Sequence, residues 1–154
     1  MSQISKVIFI DEENTRLSPF AGELFRKKLK EKGMDIETGS KGTVVLFPEP
    51  ANQKVLELAL EYGIVLSGHQ AQALEDGDFE GNVLILAMDN SSKRRAYESH
   101  PEMINIFTLK EYVGENGDIR LPLGESIENY GAVCETIDKL LDLLIQKLKE
   151  NFEL

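Results

Sequence analysis

The sequence predicts an α/β fold in which a small, doubly wound parallel sheet is wrapped by helices, and three observations carry that prediction. Two short apolar runs, Lys6-Val7-Ile8-Phe9-Ile10 and Val83-Leu84-Ile85-Leu86-Ala87-Met88, lack the alternation of a half-exposed strand and so fit strands buried on both faces. Each run stops at a polar turn carrying a helix-start signal. Apolar residues then return at helical spacing, most plainly at Ile137, Leu140, Leu141, Leu144, Ile145 and Leu148.

Taken in order, residues 6–10 form the first strand. Ser18 and Pro19 supply an N-cap candidate and a first-turn proline, so Phe20, Leu24, Phe25 and Leu29 place a helix from about Ser18 to Lys32, stopped by Gly33. A weak second strand lies around Asp35 to Gly39. Pro48 to Pro50 introduce a helix carrying Val55, Leu58, Ala59 and Tyr62, which ends at Gly63. The strand at 83–88 gives way at Asp89-Asn90-Ser91 to another helix start, and Ile104-Asn105-Ile106-Phe107 reads as the last strand. The tail from Ser126 to Phe152 is the final helix. No repeat, low-complexity tract or linker interrupts the 154 residues, so a single domain over 1–154 is expected.

The composition narrows the function. A formal net charge of −10 and a pI near 4.7 argue against nucleic acid and anionic membranes as partners, since binders of both present excess Lys and Arg. Local basic runs, Arg26-Lys27-Lys28 and Lys93-Arg94-Arg95, read as solvated helix faces. No apolar run approaches the roughly 20 residues of a membrane span, and Met1-Ser2-Gln3 leads into a strand with no signal-peptide pattern, which points to the cytoplasm. Cys134 is the single cysteine, and His69 and His100 lie far apart without a thiol nearby, so zinc has no support.

In doubly wound sheets the ligand site lies beyond the carboxyl ends of the strands, which directs attention to the turn Asp11-Glu12-Glu13-Asn14-Thr15-Arg16-Leu17-Ser18. An Asp after an apolar strand, with Glu13 two residues on and Thr15 beyond, resembles the first motif of haloacid-dehalogenase-type phosphatases, which use an Asp nucleophile and Mg²⁺. That motif is imperfect here, for Glu13 stands in place of a second Asp, and no suitable Lys or later acidic pair follows.

A second resemblance covers nearly the whole chain. Ser18-Pro19-Phe20-Ala21 anchors a register in which Asn14 and Thr15 coincide with the Asn-Thr of a Cys-x5-Arg-Ser-Pro signature, and Ile4 to Ile10 with the strand before it. Gly63-Ile64-Val65-Leu66-Ser67-Gly68-His69, Leu84-Ile85-Leu86-Ala87-Met88-Asp89, Phe107-Thr108-Leu109-Lys110-Glu111-Tyr112-Val113 and the segment Leu121 to Tyr130 follow in the matching order. The chain thereby resembles the low-molecular-weight protein-tyrosine-phosphatase family, in its bacterial arginine-phosphatase and arsenate-reductase-like branch. The resemblance implies a three-layer α/β/α sandwich around a four-stranded parallel sheet.

It also implies a chemistry whose residues are replaced. The family uses a thiolate nucleophile, loop N–H groups with one Arg to hold phosphate oxygens, and an Asp acid for the leaving group. In this register those positions are Asp11, Leu17 and Leu121, so the expected protein is a degenerate member, a pseudophosphatase serving as a binding or regulatory domain with an unknown protein partner. The loop residues Asp11, Glu12, Glu13, Asn14, Thr15, Arg16 and Ser18 remain the candidate ligand-binding set, with Asn14 and Ser18 shaping the loop and His69 structural, as the resemblance implies. Arg16 is one residue short of the Arg position. Up to three carboxylates would stand where a phosphate sits, each repelling it by about 4 kcal/mol at ~4 Å and an effective dielectric near 20. No cofactor is expected. Two alternatives stay open for the acidic turn: Asp11 acting as nucleophile of a phosphohydrolase with Mg²⁺ held by Asp11, Glu12 and Glu13, or acidic residues that complement the helix dipole and cap its free N–H groups. Cys134 reads as a core residue.

Overall fold

A computed structural model describes residues 3–121 and 126–152. The first strand, β1 (Lys6–Asp11), is buried along its centre and forms the spine of the molecule. On one side it pairs in parallel with β2 (Glu37–Gly42), and on the other with β3 (Val83–Ala87), which pairs in turn with β4 (Ile106–Thr108). The sheet order β2-β1-β3-β4 has all four strands parallel, as the alternating sequence pattern predicts.

Because side chains alternate along a strand, β1 and β3 feed two separate cores. Val7, Phe9, Leu84 and Leu86 point to a layer built from α1 (Leu17–Glu31), α2 (Gln53–Glu61) and α5 (Ile127–Phe152). Phe9 meets Phe25 of α1 edge-on, with ring centres 5.4 Å apart. Ile8, Ile10, Val83, Ile85 and Ala87 face the opposite layer, where Ala96 of α3 (Asn90–Ser99) and Phe79 of a short 3₁₀ turn cover them. A one-turn helix, α4 (Leu109–Tyr112), follows β4 directly.

Several boundaries move from their expected places. The weak strand at 35–39 becomes Glu37–Gly42, since pairing with buried β1 sets its register and overrides its polar composition. The last strand begins at Ile106, because Ile104 is exposed and has no sheet partner to bury it. Helix α1 starts at Leu17 with Arg16 as its N-cap residue, so Ser18 is the second helical residue and does not cap. Gln53–Glu61 and Ile127–Phe152 stand close to expectation. Residues 122–125 of the segment matched from Leu121 to Tyr130 lie outside the described residues. Among the described residues, no helix is long and apolar enough to cross a membrane.

Candidate functional site

The loop from Asp11 to Ser18 links the carboxyl end of β1 to the first turn of α1, where four backbone N–H groups lack a partner within the helix. Asp11 supplies the partner. Its Oδ2 accepts from the Ser18 N–H at 2.9 Å and the Leu17 N–H at 3.2 Å, while Oδ1 accepts from the Asn14 N–H at 2.8 Å and the Ser18 hydroxyl at 2.7 Å. One carboxylate thus takes three backbone donors and a hydroxyl at a helix N-terminus, the position where a bound anion is best stabilised. Burial pushes its pKa above the ordinary carboxylate value of 3.8, against the opposing pull of the hydrogen bonds from Ser18, Asn14 and Leu17.

Asn14 fixes the shape of the loop around that carboxylate. It sits in the left-handed region at φ 59°, which Asn tolerates better than most residues, and its side chain is fully buried. Its Nδ2 donates to Ser18 Oγ at 2.9 Å and to Ser40 Oγ at 3.0 Å, and its Oδ1 accepts from the Gln72 N–H at 3.0 Å. The ring Nε2 of His69 lies 2.7 Å from the Asn14 carbonyl. His69 therefore has the structural place that the family resemblance implies. The following chain is tied down as well: Thr43 N–H donates to the Asp11 carbonyl at 3.0 Å, Val44 N–H to the Glu12 carbonyl at 2.8 Å, and Asn52 N–H to the Thr15 carbonyl at 2.8 Å.

A cavity of about 270 Å³ opens beside this loop. Leu17, Met88, Ile119 and Leu121 form its apolar wall, and Glu12, Glu13, Arg16, Asp89 and Arg120 bring charge to it. The chain past β4 reaches the cavity because Ile119 N–H bonds the Met88 carbonyl at 2.8 Å, at the end of β3. Leu17 and Leu121 thus both flank the loop, and the charge of Arg120 is tied to Asp118 at 2.6 Å.

The structure brings every candidate loop residue to one place but separates their roles. Of the loop's three carboxylates only that of Asp11 turns inward. Glu12 and Glu13 are exposed on the rim, which corrects the expectation that up to three carboxylates crowd the centre of the loop: the chain leaves the sheet there, and their side chains diverge into solvent. Among the described residues no group of three or more His, Cys, Asp or Glu side chains is placed to hold a metal ion, so Asp11, Glu12 and Glu13 do not form such a set. Of the two alternatives for the acidic turn, the capping arrangement is the one seen, carried by Asp11 alone. Cys134 is buried in α5, and burial pushes its thiol up to about 12, so it stays protonated and unreactive at neutral pH.

Sequence reasoning missed Ser40, Gln72, Met88, Asp89, Ile119 and Arg120. Asp89 was within reach, since the rule that pointed beyond the end of β1 points equally beyond the end of β3. Ser40 and Gln72 carry no local signal, for their places follow from strand pairing and a loop crossing.

Comparison with known proteins agrees with this architecture. Residues 6–154 match the family described as low molecular weight phosphotyrosine protein phosphatase. The chain is 31% identical over 147 residues to the protein-arginine-phosphatase of Bacillus subtilis, covering 94% of this chain and 97% of that one. The crystal structure of a low molecular weight protein tyrosine phosphatase from T. tengcongensis superimposes with a TM-score of 0.87 at 37% identity, over 95% of this chain and 99% of that one. The arginine phosphatase YwlE from Geobacillus stearothermophilus gives a TM-score of 0.83 at 29% identity, over 96% and 94%.

Proposed function

The chain belongs to the low molecular weight phosphotyrosine protein phosphatase family, and from that membership we propose that it is a catalytically impaired homologue acting as a binding or regulatory domain. One observation supports the reading above all: the Asp11 carboxylate already accepts the loop and helix donors that would otherwise hold an anion. Hydrogen bonds to a charged group contribute roughly 1.5–3 kcal/mol each, so an incoming phosphoryl group must displace several such bonds and evict a carboxylate before it binds. Asp11 is held back as a nucleophile for the same reason, because both its oxygens are engaged with donors. In the register of the sequence resemblance, Leu17 and Leu121 offer neither a cation for phosphate oxygens nor a proton for a leaving group.

The comparisons favour a second reading, since the relatives are named as phosphatases of tyrosine or arginine. In that reading Asp11 attacks phosphorus, the leaving oxygen or nitrogen departs and takes a proton from water, and a second water hydrolyses the aspartyl phosphate. A divalent metal held by Asp11, Glu12 and Glu13 would offset the charge, but among the described residues these side chains do not form a metal-holding set. The contacts of Asp11 set the first reading above it. Assays with p-nitrophenyl phosphate, a phosphotyrosine peptide and a phosphoarginine peptide, each with Mg²⁺ and with chelator, separate the two. Impairment predicts rates equal to those of Asp11→Ala under every condition. Turnover that disappears in Asp11→Ala would establish the phosphohydrolase.

A further inference from the structure

We infer that the outer edge of β2 takes up an extended segment of a partner protein as an added strand, with an acidic side chain of that segment reaching Arg26. The site shares no wall residue with the cavity at Asp11, so neither outcome of the phosphatase assays bears on it.

β2 is an outer strand of the sheet, and its free side is paired only in part. The Glu37 N–H donates to the Ser5 carbonyl at 3.0 Å, towards β1, whereas the Gly42 N–H donates to the Gln72 carbonyl at 2.8 Å, away from it. Main-chain groups turn to alternate sides along a strand, so Thr38, Ser40 and Gly42 aim theirs outward. Gly42 is satisfied there, since its carbonyl also accepts the Leu74 N–H at 2.9 Å, and the Thr38 carbonyl accepts from Arg26 at 2.6 Å. The Thr38 N–H and both main-chain groups of Ser40 have no partner among the described residues. These are the ladder positions that a further strand would fill.

A slot lies along the unpaired stretch. Ala73 bridges Gly42 in parallel, as the start of a neighbouring strand would, but just upstream the chain turns away to Glu49, whose carbonyl accepts the Ala71 N–H at 2.8 Å. The gap is a cavity of about 280 Å³ between α1 at Gly22, Glu23 and Arg26, the β2 backbone at 39–41, and the crossing chain at 68–72. Glycine in these walls lets a second backbone come close: a Cβ built at Gly39 or Gly68 would meet no atom within 4 Å beyond its own chain neighbours.

Charge selects the segment. Arg26, Lys41 and Glu23 line the slot, two cations to one carboxylate on a chain of net charge −10. Lys41 reaches Asp78 at 3.4 Å, outside the slot. Arg26 spends two of a guanidinium's five N–H donors, on Glu23 at 2.8 Å and on the Thr38 carbonyl, and its side chain is 55% exposed. Its remaining donors are open to a carboxylate that arrives with the strand, beside the edge the guanidinium already touches.

An NMR titration of the full chain with a capped peptide of alternating valine and glutamate tests strand addition. Saturable shifts are expected at the amides of residues 38–42 and 68–72, and hydrogen exchange at the Ser40 amide should slow about tenfold or more at saturation as that N–H gains a partner. The same peptide N-methylated at alternate amides should give neither effect, and free glutamate should give no shifts there. A glutamine version of the peptide should bind about threefold or more weakly than the glutamate one, as should the glutamate peptide to Arg26→Gln, whose thermal melt should stay unchanged because the side chain is exposed. Added-strand binding is overturned if the peptide gives no saturable shifts, if exchange at Ser40 is unaltered, or if the N-methylated peptide or free glutamate matches it. It is overturned as well if the glutamine peptide or Arg26→Gln leaves affinity intact. Shifts at 38–42 that grow with protein concentration in the absence of peptide would assign the edge to a second copy of this chain and likewise overturn it.

Discussion

At the scale of single residues, Asp11 carries most of the argument, and its titration is a direct probe. Burial raises its pKa above 3.8 in the folded chain, while the unfolded chain keeps the ordinary value. Below 3.8 both states hold the proton. As pH rises through the interval up to the folded pKa, the unfolded chain releases its proton first, so the folded state binds more protons and stability from this group falls. Two measurements check the sign. The Asp11 carboxyl carbon should titrate by NMR with a midpoint above 3.8, and wild type should lose stability relative to Asp11→Asn as pH climbs through that interval. A midpoint below 3.8 would mean that the four hydrogen bonds outweigh burial.

At the scale of elements, Asn14 ties the loop to β2 through Ser40 and to the chain at Gln72. Asn14→Ala removes the bonds to Ser18 and Ser40, leaves the Gln72 N–H without its acceptor, and puts Ala into a left-handed backbone at φ 59°. An unsatisfied buried donor costs about 1–3 kcal/mol and the strained backbone about 1 or more, so chemical denaturation should show a loss of roughly 2–4 kcal/mol. The same residue shows what could be read in the sequence. Buried strands such as β1 and β3, and the stripe along α5, were legible because their apolar periodicity is local. The start of α1 was not, because its cap comes from Asp11 at the far end of the loop and not from Ser18 next to it. Helix α4 had a signal that went unread, the capping box of Thr108 and Glu111. The ties from Asn14 to Ser40 and Gln72 span 26 and 58 residues, and no local pattern announces them.

At the scale of the whole molecule, the sheet holds β1 and β3 so that their carboxyl ends converge on one cavity, and this frame does not depend on which residues line it. The frame should therefore accept the chemistry that the sequence resemblance implies once the side chains of that signature are supplied. Asp11→Cys, Leu17→Arg and Leu121→Asp, together with Glu12→Thr and Glu13→Gly to clear the rim, would place a thiol, a phosphate-holding cation and an acid around one cavity. The free Leu17 and Ser18 N–H groups and the dipole of α1 would then stabilise a thiolate, so its pKa should fall below the roughly 8.5 of a free cysteine. Iodoacetamide alkylation against pH reads this cleanly, because Cys134, the one other thiol, is buried and protonated up to about 12. The expected result is rapid alkylation at neutral pH, blocked by inorganic phosphate, with hydrolysis of p-nitrophenyl phosphate above the wild-type rate. If the new thiol titrates at 8.5 or higher and phosphate gives no protection, the loop does not hold an anion-binding geometry, and the frame alone does not make the site.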